Sequence, residues 1–124
     1  MPPLNTFTRS CLALAIGQAV VVPAQAANII INNISDTEQT DSFCTLREAI
    51  ESANTNNGGV SGCASGDVGV DTITFNSEVL ATGNIYVTQS ALLRITEDLV
   101  IQGPDSGTIT IDGRGNAGVF DIEG

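Results

Sequence analysis

With no histidine and no lysine among its 124 residues, this chain lacks the commonest general bases, and carboxylates are the main groups left for acid–base or metal chemistry. Asp112-Gly113-Arg114-Gly115-Asn116 is the segment most suggestive of a site, because Asp and Asn oxygens beside flexible glycines can wrap a hard cation such as calcium. It lacks the alternating acids and terminal glutamate of an EF-hand and the tandem nonapeptides of a β-roll, so a solvated turn is expected there instead. Asp67 and Asp71, which flank a Val-Gly-Val, invite the same calcium reading and the same answer. Glu97-Asp98, the only adjacent acids, read as a polar turn before Leu99 rather than as an acid–base pair. Cys44 and Cys63 cannot complete a tetrahedral zinc shell without histidine. Arg47, beside Glu48 and Glu51, reads as half of an exposed ion pair worth under about 1 kcal/mol. No catalytic, cofactor-binding or metal-ligating residue is expected.

Arg47, Glu48 and Glu51 lie on a helix expected over residues 45–54. Thr45 and Glu48 have the spacing of a capping box, in which each side chain serves the other's backbone N–H. Leu46, Ala49, Ile50 and Ala53 recur at i, i+3, i+4 and i+7 and define an apolar face. Arg47, Glu51 and Ser52 are expected on the opposite face, in water. Asn54 and the polar run from Thr55 through Gly59 end the helix. Such a short amphipathic helix reads as a lid over something apolar.

Residues 1–26 read as an export signal, with an apolar run from Cys11 to Val22 and an Ala24-Gln25-Ala26 cleavage sequence that gives a new N-terminus at Ala27. The run is too short to span a bilayer, and no later segment approaches the roughly 20 apolar residues needed. Export implies an extracellular or cell-surface location. Removal of Cys11 leaves Cys44 and Cys63 in an oxidising compartment, where a disulfide is expected that contributes roughly 3 kcal/mol; two buried free thiols are the alternative. The formal net charge of −10 argues against nucleic acid and anionic membranes.

From Asp71 onward the helical period gives way to short strands between Gly, Asn and Asp turns. Ile101-Gln102-Gly103, Ile111-Asp112-Gly113 and Ile122-Glu123-Gly124 repeat a pattern at intervals of 10 and 11 residues, and two such steps would make about one turn of a β-solenoid. Leu99, Ile101, Ile109, Ile111, Phe120 and Ile122 are the expected core, with Ile73, Phe75, Ile85 and Val87 pointing inward from earlier strands. Gly103, Gly113 and Gly124 are expected at corners whose φ values other residues resist. A small antiparallel sandwich would give similar spacing.

Cys44-Thr45-Leu46-Arg47-Glu48-Ala49-Ile50, followed by Ala53-Asn54, resembles the CSLREA-type N-terminal region of bacterial secreted and surface proteins. Asn28-Ile29-Ile30-Ile31, Asp36, Cys63, Asp71-Thr72-Ile73-Thr74-Phe75 and Ile109-Thr110-Ile111-Asp112-Gly113 extend the likeness. It implies a mainly β fold: a cap over residues 27–70, then the first rungs of a right-handed parallel β-helix over 71–124. The chain, ending just after a strand, would then be the front of a longer protein. Three functions follow as expectations. The first is a non-catalytic cap and first coils of a surface protein that binds an extracellular ligand, carbohydrate or host protein. The others are the front of a polysaccharide-active enzyme whose site lies downstream, and a small complete disulfide-stabilised domain.

Overall fold

In a computed structural model, residues 25–56, 62–78, 80, 82–89 and 91–124 are described. The expected signal segment up to Ala24, with Cys11, lies outside these residues, as do positions 57–61 of the loop after the helix. One helix, α1 (Leu46–Thr55), follows strand β1 (Asn28–Ile31). Six further strands come after it: β2 (Asp71–Phe75), β3 (Gly83–Tyr86), β4 (Leu93–Ile95), β5 (Leu99–Ile101), β6 (Ile109–Asp112) and β7 (Phe120–Ile122). No helix among the described residues is long and apolar enough to cross a membrane.

All four strand pairings are parallel, which excludes the antiparallel sandwich. The expected β-helix is corrected as well. The strands form three small open sheets, β1-β2-β5, β3-β6 and β4-β7, and none of them closes or continues into a solenoid sheet. One reason lies in the first half of the chain. Asn28 pairs with Thr72, a step of 44 residues that includes α1 and the disulfide loop, and among the described residues no strand precedes β3 or β4 in its sheet. The spacing of the Ile-x-Gly triplets also has a different meaning from the one expected. Ile101, Ile111 and Ile122 lie in three different sheets, while paired strands are offset by 28 residues (Asp71 to Leu99), 26 (Gly83 to Ile109) and 27 (Leu93 to Phe120). The 10- and 11-residue intervals carry the chain from one sheet to the next.

Alternation along the strands decides what is inside. Ile29 and Ile31, Ile73 and Phe75, Ile85 and Val87, and Leu93 and Ile95 are buried with Leu46, Ala49, Ile50 and Ala53 of α1. At roughly 1.5–3 kcal/mol for each large aliphatic side chain, this cluster is the main driving force for folding. Of the six residues expected to form the core, five pack against its margin and one lies outside it. Leu99, Ile101, Ile109, Ile111 and Phe120 are only partly buried, and Ile122 is 72% exposed. Each lies on β5, β6 or β7, the last strand of its sheet in chain order, whereas α1 packs on β1, β2 and β4. The glycine expectation also fails at the named positions: among the described residues the glycines at positive φ are Gly107 and Gly115. Gly113 is held by close approach instead, since a Cβ there would come 3.0 Å from the Gly118 carbonyl oxygen.

Candidate functional site

The chemistry-bearing residues of the 44–54 segment converge on one structure, a clasp that fastens α1 to the strands. It begins at the helix N-terminus, where the Thr45 hydroxyl accepts from the Glu48 N–H at 3.3 Å and Glu48 Oε2 accepts from the Thr45 N–H at 3.0 Å. Both partners reach further than a capping box requires. Glu48 Oε1 accepts from the Gln39 N–H at 2.9 Å, and the Thr45 hydroxyl donates to the Thr37 carbonyl at 3.0 Å. The loop after β1 is thereby tied to the first turn of the helix. Cys44 adds a second tie, because its N–H donates to Asn32 Oδ1 at 2.7 Å and its carbonyl accepts from the N–H groups of Asn32 and Asn33. The Cys44–Cys63 disulfide is formed, across 4.7 Å between Cα atoms.

Arg47 is the centre of the clasp, and its place corrects the expectation of an exposed pair. Its side chain is 8% exposed and lies against Asp36, which is 2% exposed. Nε donates to Asp36 Oδ1 at 2.7 Å and Nη2 to Oδ2 at 3.0 Å, the bidentate geometry that suits a guanidinium to a carboxylate. Nη2 also reaches the Ala91 carbonyl at 3.1 Å. Asp36 Oδ2 further accepts from the backbone N–H groups of Thr88 at 2.8 Å and Gln89 at 3.1 Å. One ion pair therefore joins the loop after β1, the helix, the segment after β3 and the segment before β4. Burial alone would push the Asp36 carboxyl up. Hydrogen bonds from Arg47, Gln89 and Thr88, with the Arg47 charge, outweigh burial and hold it below the usual carboxylate value.

Two more side chains replace missing backbone partners. Asn54 Nδ2 donates to the Arg94 carbonyl at 2.8 Å and Asn54 Oδ1 accepts from the Thr96 N–H at 2.9 Å, so the amide serves the edge of β4 as one residue of a neighbouring strand would. The Asp71 carboxylate accepts from the N–H groups of Ala27 and Asp67 and is buried, so it is engaged with backbone rather than presented to a cation. α1 packs on β1, β2 and β4 and ends one residue later than the sequence suggests, with Asn56 left-handed at φ 52°. Ser52, expected in water, is fully buried, and its hydroxyl has no hydrogen-bond partner among the described residues.

The other segments examined for chemistry are more dispersed. Asp112 accepts from the Arg114 N–H at 2.9 Å, and the Asn116 N–H closes the turn on the Gly113 carbonyl at 3.0 Å, with Arg114 and Gly115 both at positive φ. The turn presents a guanidinium stacked 4.1 Å from the Tyr86 ring centroid, a poor setting for calcium. Glu97 and Asp98 are exposed. Among the described residues no group of three or more His, Cys, Asp or Glu side chains could hold a metal ion. Asp36 is the participant that sequence reasoning missed as a site residue: nothing periodic links it to Arg47, 11 positions away.

Comparison with known proteins identifies no matching family, no similar curated protein and no similar solved structure.

Proposed function

We propose that this chain is a non-catalytic binding scaffold, exported by a bacterium and displayed at or beyond the cell surface, in which α1 and its clasp fasten together the backbone segments around β1, β2 and β4. The observation that carries the reading is the fate of the polar residues in the 44–54 segment. Thr45, Arg47, Glu48 and Asn54 each make hydrogen bonds that join separate parts of the backbone, which occupies their donors and acceptors with structure rather than substrate. The formed disulfide and the resemblance of residues 44–54 to CSLREA-type regions agree with an exported protein, as does the apolar N-terminal run.

The test is expression from the native gene in a bacterial host, with fractionation, thiol counting and intact-mass measurement. The reading expects a surface or medium fraction beginning at Ala27, with Cys44 and Cys63 oxidised. It also expects no turnover of a polysaccharide panel and loss of cell adhesion when the gene is deleted. A reduced cytoplasmic protein, or saturable polysaccharide cleavage by the purified chain, would refute it.

A further inference from the structure

The clasp leaves one cluster of polar groups unused. Between the segments that follow β2 and β5 lies a half-open cleft of about 350 Å³, none of whose lining residues belongs to the clasp. Its walls include Ser77, Gln102, Asp105 and Ser106, whose side chains make no hydrogen bond or ion pair among the described residues. Pro104, with the small exposed part of the otherwise buried Phe75, adds an apolar surface. The volume falls at the small end of the roughly 300–1,000 Å³ of small-molecule sites, which also combine apolar wall with a few free polar groups.

The lining selects the class of ligand. It contains no cationic side chain, it includes a carboxylate, and the chain around it is strongly acidic, so an anion would be repelled. A hydrocarbon would leave two hydroxyls, an amide and a carboxylate without partners. A lone carboxylate falls well short of the six to eight oxygens that calcium takes. What remains is a small uncharged molecule with many hydroxyl groups and some C–H surface. Its hydroxyls can donate to Asp105 and exchange hydrogen bonds with Ser77, Ser106 and Gln102, while its C–H face lies on Phe75 and Pro104.

We propose that this cleft binds an uncharged sugar unit of a glycan. The inference rests on the scaffold reading and supplies the chemistry of its ligand. Gly103 makes it testable without disturbing the fold. It lines the cleft, its φ is not left-handed, and a Cβ placed there meets nothing within 4 Å. A large side chain at 103 has room to fill the cleft.

The experiment is saturation-transfer NMR and calorimetric titration of the full chain with glucose, galactose, mannose, N-acetylglucosamine and galacturonate. At least one uncharged sugar should bind saturably and galacturonate should not. Gly103→Trp should abolish binding while the melting temperature is unchanged, and Asp105→Asn should weaken it about tenfold or more through loss of a charged acceptor. If Gly103→Trp fails to fold, Ser106→Trp supplies the block from an exposed position further along the same wall. Failure of every uncharged sugar to bind the folded chain, or unchanged affinity in a folded Trp variant, overturns the cleft but leaves the scaffold reading to its own test. Turnover of a bound sugar would do the reverse.

Discussion

Replacing Arg47 by Met keeps most of the apolar stem and removes the charge, which isolates the contribution of the buried ion pair. Removing one partner of a buried pair costs about 3–5 kcal/mol, because the other charge stays behind without compensation. Two structural details place this case near the lower end. The Asp36 carboxylate retains its hydrogen bonds from the Thr88 and Gln89 N–H groups, and a hollow of about 140 Å³ beside Arg47 gives water a route to the vacated site. A loss of about 3 kcal/mol is therefore expected, a fall in Tm of roughly 12 °C or more for a domain of this size. Urea unfolding followed by circular dichroism measures it directly.

The same assay separates burial from ordinary surface pairing. Arg94→Ala, which removes an ion pair to Glu123 whose partners are 60% and 50% exposed, should cost under about 1 kcal/mol. Adding Asp36→Asn to Arg47→Met removes the stranded charge while Asn Oδ1 can still accept from Thr88 and Gln89, so about 1–2 kcal/mol should return. If Arg47→Met costs no more than Arg94→Ala, the clasp is not a buried electrostatic joint and the account of the 44–54 segment is wrong.

Asp36 should also leave a mark on the acid limb of stability. Its folded-state value lies below its unfolded one, so its contribution is complete above the ordinary aspartate value near 3.9 and is lost as pH falls through the folded value. The Tm gap between wild type and Asp36→Asn should therefore narrow below about pH 3.9, and a gap constant to pH 2 would refute this. Ser52→Ala should stabilise the chain by about 1 kcal/mol, since it deletes a buried hydroxyl with no partner and adds a better helix former; chemical denaturation that shows a loss would point to an unseen bond. Asn54→Ala should cost about 1–2 kcal/mol and raise hydrogen exchange at the Thr96 amide selectively. Reduction of Cys44–Cys63 should cost roughly 3 kcal/mol, read as a lower urea midpoint in reductant that a Cys44→Ala/Cys63→Ala variant does not share.

The local code was legible in the sequence where one segment determines its own conformation. Thr45 and Glu48 lie three residues apart and satisfy each other, so the capping box and the buried stripe of Leu46, Ala49, Ile50 and Ala53 could be read directly. Period-two alternation likewise gave the inward residues Ile73, Phe75, Ile85 and Val87. Properties that depend on distant chain were not legible. A helical wheel puts Arg47 and Ser52 off the apolar stripe, but it cannot know that the loop around Asp36 and the segment at Thr88 to Leu92 close over that flank. Nor can spacing alone distinguish strands that stack from strands that follow one another around corners, so the 10- and 11-residue intervals do not reveal that the core centres on the strands packed with α1 rather than on β5, β6 and β7.

The clasp and the cleft are joined through β2, so the buried pair can act on the cleft only through the stability of that strand. β2 packs against α1, continues into one wall of the cleft at Thr74 and Phe75, and pairs with β5, which leads into the opposite wall at Gln102. The Gln102 N–H donates to the Ile73 carbonyl at 2.9 Å, so the two walls are set by the backbone register itself rather than by flexible side chains. A scaffold that presents polar groups for recognition gains affinity from such fixed placement, because less conformational freedom is lost on binding. Loosening α1 should then act on the cleft only in so far as it loosens β2: while Arg47→Met remains folded at low temperature, β2–β5 register and sugar affinity should stay close to wild type, and the two should fail together as the chain melts.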